Sequence, residues 1–157
     1  MRFQDFVCFE GTIAELETVE RDEAIEALVS GLAEVGRIPK KVSAEIARAV
    51  IDRENEASTG MGKGVAIPHV KHAAVKNVVA AVGQSEAGID FKALDEQPVY
   101  AVILLISPAN NPDSHLQAME LVFKHLQKEK FRKFLRQCRT RERLEDLLKE
   151  ADEDPSW

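Results

Sequence analysis

The sequence predicts a three-layer α/β domain, and three observations carry that expectation. The chain has 157 residues and a mass of 17.5 kDa, which suits one hydrophobic core rather than two. Its apolar residues recur at helical spacing up to about residue 56, fall into short strand-like runs from 65 to 106, and return to helical spacing after 111. The run Val99 to Ile106 is apolar at all eight positions, as befits a central strand covered by helices on both faces.

Element by element, an additional strand is expected around Thr12 to Leu16. Residues 21–35 place Ala24, Ile25, Leu28, Leu32 and Val35 on one helical stripe. Gly36 then stops that helix, and Pro39 resists continuation. Val42, Ile46, Ala47, Val50 and Ile51 predict a second helix starting near Lys41 or Ser43. Residues 57–64, ASTGMGKG, hold three alternating glycines and read as a loop. Val65–Ile67, Val78–Val82 and Val99–Ile106 read as strands, with the turn-rich AGIDFKALDEQP between the last two. Asn111-Pro112 opens a helix with a cap and an N1 proline. Its stripe is Leu116, Met119, Val122, Phe123 and Leu126. Two shorter helices follow, around Phe131–Leu135 and Leu144–Leu148, and residues 151–157 read as a frayed acidic tail.

Composition excludes several function classes. With 45% hydrophobic and 31% charged residues the chain is neither disordered nor fibrous. A net charge of −6 argues against a broad nucleic-acid surface and leaves room for a partner with a basic patch. No apolar run approaches the ~20 residues of a membrane span, and no secretory leader is visible. Cys8 and Cys138, 130 positions apart and without a CxxC, read as reduced thiols of a cytoplasmic protein.

Chemistry concentrates at residues 58–69. Gly60, Gly62 and Gly64 give GxGxG after a helix, unlike the dinucleotide fingerprint, and Gly62-Lys63-Gly64 lacks the hydroxyl residue of a P-loop. Bare glycine amides could still cradle an anion. His69 follows Val65-Ala66-Ile67-Pro68 directly. Imidazole is a competent nucleophile near neutral pH, and the proline before it restrains the backbone.

The stretch Ser58 to His69, STGMGKGVAIPH, closely resembles the active-site signature of the fructose/mannitol/nitrogen-regulatory IIA proteins of the phosphoenolpyruvate-dependent sugar phosphotransferase system (PTS). RDEAIEALVSGLAEVGRI resembles that family's first helix, Asp52-Arg53-Glu54 the end of its second, and GIDFKALDEQPVYAVILLISP its turn and central strand. Ser114-His115-Leu116 resembles the segment carrying a second histidine. The resemblance covers residues 5–150 and leaves 151–157 as a tail.

It implies an α/β sandwich with a mixed sheet of about five strands flanked by helices. It also implies a phosphoryl relay in sugar transfer or nitrogen-type regulation. His69 would be the phosphorylated nucleophile, fed by an HPr-type phosphocarrier and emptied onto a IIB domain or a regulated target. His115 and Arg53 would assist catalysis, and Thr59, Gly60, Gly62 and Gly64 would bind the phosphoryl group. Exchange between imidazoles demands neither metal nor cofactor, and no nucleic acid or membrane insertion is implied. Where the family usually has glycine after the histidine, this chain has Val70, a β-branched residue expected to narrow access to His69. His72 reads as an exposed residue. Two rival readings are a regulatory domain that keeps the fold without accepting phosphate, and a metal hydrolase using His69, His72 and His115.

Overall fold

The computed structural model describes all 157 residues. Its helices are α1 (Phe3–Phe6), α2 (Arg21–Glu34), α3 (Ser43–Glu56), α4 (Pro112–Leu126), α5 (Glu129–Gln137) and α6 (Arg141–Glu153). Its strands are β1 (Gly60–Gly62), β2 (Val65–Ala66), β3 (His69–His72), β4 (Val79–Ile89) and β5 (Val99–Pro108). The three layers and the mixed five-stranded sheet agree with the expectation.

The apolar run of β5 is explained by its place. β4 pairs with it antiparallel on one side, while β2 and β3 pair with it parallel on the other. Side chains alternate across a sheet, so Val102, Leu104 and Ile106 enter the core under α2 and α3. Ala101, Ile103 and Leu105 enter the core under α1, α4, α5 and α6. β2 and β3 run as one line along β5, interrupted at Ile67-Pro68, where the Leu105 amide still donates to the Pro68 carbonyl at 3.0 Å.

Several elements depart from the sequence reading. The segment Thr12 to Leu16 forms no strand of its own. It lies along β4 through a single parallel bridge, Ile13 to Gly83. The glycine run is a hairpin rather than a loop: β1 pairs antiparallel with β2, and Lys63 and Gly64 connect them with φ of +61° and +84°. A two-residue connection with both φ positive matches the twist of its strands. Gly60 is required for a different reason, since a Cβ there would sit 2.8 Å from Ala93 Cβ. β4 continues past Val82 to Ile89, through a register shift after Gln84, into what read as a turn.

On α4, Asn111 Oδ1 accepts from the Ser114 amide at 3.2 Å, as the cap motif predicts. The buried stripe is rotated, however. Ala118, Val122, His125 and Leu126 are inside, whereas Leu116 and Phe123 are exposed. A buried histidine replaces the expected apolar residue: His125 stands edge-on to Phe3 and Phe131 and bonds the Leu121 carbonyl at 2.9 Å through Nδ1. The C-terminal residues are not frayed either. Asp152 accepts from the amides of Phe3 and Gln4 at 2.7 and 3.1 Å, satisfying the start of α1. Trp157 is 4% exposed, edge-on to Phe131 and Phe134. Cys8 and Cys138 are free, and burial pushes both thiols up. No helix is long and apolar enough to cross a membrane.

Candidate functional site

Three elements meet above the C-terminal end of β5. β3 brings His69 and Lys71, β5 brings Ser107, and the first turn of α4 brings His115. The parallel register pairs His69 with Leu105 and Lys71 with Ser107, so all four share the face covered by α4. The rings of His69 and His115 lie 5.6 Å apart, tilted by 42°.

Each ring is held by one nitrogen. His69 Nδ1 is 2.8 Å from the Ile67 carbonyl. A carbonyl can only accept, so Nδ1 carries the hydrogen, and in the neutral ring the lone pair lies on Nε2. His115 Nδ1 is 2.7 Å from the Oγ of Ser107, itself fully buried. Burial pushes the His115 pKa down, and the positive charges of His69 and Lys71 lower it further.

Behind His69 runs a chain of hydrogen bonds that sequence reasoning did not assign. Glu54, 2% exposed at the end of α3, accepts from both the amide and the hydroxyl of Thr59. The Thr59 carbonyl accepts from the Ile67 amide at 3.3 Å, and the Ile67 carbonyl takes the His69 hydrogen. Glu54 is therefore a positioning residue, acting through Thr59 and Ile67. Its sequence signals are an acidic residue at a buried helical position and its place in the Asp52-Arg53-Glu54 stretch that resembles the end of the family's second helix. Glu54→Ala is expected to cost about 1–3 kcal/mol, because two part-buried Thr59 donors lose their acceptor. Glu54→Gln keeps one acceptor and should recover part of the loss, read by chemical denaturation; equal stability of all three proteins would reject the role.

The other expected residues are distributed unevenly. Arg53 lies in the last turn of α3, and its Nη1 donates to the Ala57 carbonyl at 3.1 Å, with no hydrogen bond to the His69 ring. The Gly60 amide is taken by Ser58 Oγ and the Lys63 amide by Asp95. Gly62 and Gly64 lie at the hairpin tip beyond Val65, which pairs with Ala101. At ~3.3 Å per residue that level is roughly 13 Å from His69 along the strand. The structure thus does not bring Gly62 and Gly64 to the ring, and their positive φ serves the turn.

Val70 and His72 alternate onto the opposite face. Val70 packs against the core under α2 and α3, so its side chain points away from His69 and does not narrow access to it. His72 is not exposed: its side chain is 17% accessible, Nδ1 accepts from the Ala74 amide at 3.0 Å, and Nε2 lies 3.3 Å from Glu45. His69 and His72 therefore sit on opposite faces of β3, and the histidine trio of the hydrolase reading is not assembled in this fold.

Comparison with known proteins places this arrangement in a family. Residues 10–151 match the family described as phosphoenolpyruvate-dependent sugar phosphotransferase system, EIIA 2. The chain is 33% identical over 149 residues to a PTS fructose-specific EIIA component of Haloferax volcanii, covering 90% of this chain and 96% of that protein. It is 31% identical over 137 residues to the fructose-specific EIIABC component of Bacillus subtilis, matching 87% of this chain but spanning only 21% of that protein's length. The fold is shared with the nitrogen regulatory protein IIA-Ntr of Neisseria meningitidis, with a TM-score of 0.82 at 24% identity over 91% of this chain and 96% of that one. With the signature on the hairpin and β3, and the match spanning nearly every element of the sheet, the chain belongs to the EIIA 2 family of the phosphoenolpyruvate-dependent sugar phosphotransferase system.

Proposed function

We propose that this protein is a phosphohistidine relay in which His69 Nε2 takes the phosphoryl group from a phosphohistidine on an HPr-type carrier. One observation carries the reading. The hydrogen bond from Nδ1 to the Ile67 carbonyl fixes the ring and leaves Nε2 as its only nitrogen free to attack.

The step balances without a cofactor. The Nε2 lone pair forms a new N–P bond as the donor's N–P bond breaks, and the departing nitrogen keeps the electron pair. The hydrogen stays on Nδ1, donated to the Ile67 carbonyl, throughout. One N–P bond replaces another, so the exchange is near balance, and positioning with charge stabilisation supplies the acceleration. With the Ser107 hydroxyl donating to His115 Nδ1, His115 keeps its proton on Nε2 and donates it to a phosphoryl oxygen. Lys71 supplies charge from the same face, and Arg53 would have to swing from Ala57 to contribute. The downstream acceptor is a IIB-type domain or a regulated protein, reached through the same open face.

Locating the phosphoryl group tests this reading. After incubation with phosphoenolpyruvate, the first enzyme of the system and a phosphocarrier, nitrogen-15 and phosphorus-31 NMR should show a single phosphohistidine, substituted at Nε2 of His69. Substitution at Nδ1, or at another residue, overturns it.

A further inference from the structure

At the other end of β5 lies a cleft of about 540 Å³ that contains no hydrophobic residue. Lys63 at the hairpin tip and Arg132, Lys133, Arg136 and Arg139 around α5 line it, with Glu129 as the one acidic group. Five cations against one carboxylate make a local charge of +4 on a chain whose net charge is −6. Such segregation is costly unless something anionic compensates it, and none of the five cations is engaged in an ion pair.

The cations are also partly fixed in place. The Arg136 guanidinium lies over the Tyr100 ring, 3.7 Å from its centroid. Arg132 Nη1 donates to the Leu126 carbonyl at 2.8 Å, leaving the rest of its fork free. Lys63 holds a left-handed conformation that non-glycine residues rarely adopt, and its amide is clamped by Asp95 at 2.9 Å. Guanidinium forks held by other contacts lose little freedom on binding a phosphate bidentately.

We propose that this cleft binds a small polyphosphate, recognised through its phosphate groups alone. Its volume lies in the range of small-molecule sites, and its cations come from one hairpin tip and the region of one short helix rather than from an extended surface. No apolar face awaits a base or sugar ring, since Arg136 already covers Tyr100. The site is separate from His69: five residues of β5, from Tyr100 to Leu105, place it roughly 17 Å away along the strand. It does not depend on whether His69 is phosphorylated.

The test is calorimetric titration of the whole protein with tripolyphosphate at about 50 mM salt, where exposed charges are least screened. One saturable site is expected, weakening as salt rises. The double variant Arg136→Glu/Arg139→Glu should weaken binding on the order of tenfold or more. Lys40→Glu/Lys41→Glu, on a distant surface, should change it less than about twofold. ATP should bind no tighter than tripolyphosphate. Absence of saturable binding, or equal loss in both double variants, overturns the site. ATP binding about tenfold tighter than tripolyphosphate overturns recognition through phosphates alone. Single-stranded oligonucleotides whose affinity keeps rising with length overturn it in favour of an extended nucleic-acid surface.

Discussion

A His69→Ala protein is expected to take up no phosphoryl group from a phosphorylated carrier, where the parent takes up one that is acid-labile and base-stable. The other three histidines cannot substitute. His72 spends one nitrogen on the Ala74 amide and the other on Glu45, on the far face of β3. His125 is 5% exposed among aromatic rings. His115 shares the site but stands back on α4, bonded to Ser107. The variant should remain folded, because His69 is only half-buried and its one intramolecular hydrogen bond is worth about 1 kcal/mol. A fall in Tm of more than about 5 °C would mean that misfolding contributes to the loss. Labelling of His69→Ala to the parent level would remove the relay reading altogether.

How much of this was legible in the sequence depended on whether local pattern and tertiary role coincided. They coincide in β5, where eight apolar residues can only be a doubly covered strand, and in most of α2, where Ala24, Ile25, Leu28 and Leu32 are buried and Gly36 follows the stop, although Val35 lies beyond the helix and is exposed. They diverge where polar residues are placed by the fold. β3 reads His-Val-Lys-His with no apolar run, because one of its faces is the site itself. Seen without its partners, Val70 looked like an obstacle beside the nucleophile; the alternation of the strand turns it into the core instead. The α4 stripe was misjudged because His125 takes an interior position, its burial offset by the Leu121 bond and lowering its pKa. The family resemblance points to His69 and, within the same stretch, to Thr59. What holds Thr59, a buried glutamate five residues earlier, is visible only in three dimensions. The alternating glycines suggest a phosphate cradle from sequence and resemblance, and in the fold a turn and the closeness of Ala93 account for their positions.

His115→Ala is expected to slow transfer to His69 by roughly tenfold to a thousandfold, the range for losing one preorganised donor, without preventing labelling. His115 forms no bond to phosphorus, so the acceptor survives its removal. What is lost is a hydrogen-bond donor aimed by Ser107 at the space beside the His69 ring, 5.6 Å away. Ser107→Ala should reproduce part of the defect, because an unanchored His115 is a poorer donor. The same residue should leave a mark on stability. Its folded pKa is lowered by burial and by the charges of His69 and Lys71. The unfolded chain therefore takes up its proton first, at about 6.5, and stability falls as pH drops through that value towards the lower folded pKa. Between about pH 7.5 and pH 5.5 the parent should lose more stability than His115→Ala, as measured by urea midpoints at each pH. A variant that transfers at the parental rate but shows the smaller pH slope would confine His115 to a structural role and leave charge stabilisation to Lys71 and Arg53. Slower transfer together with the smaller slope is the pattern that a half-buried, neutral donor beside the phosphoryl group requires.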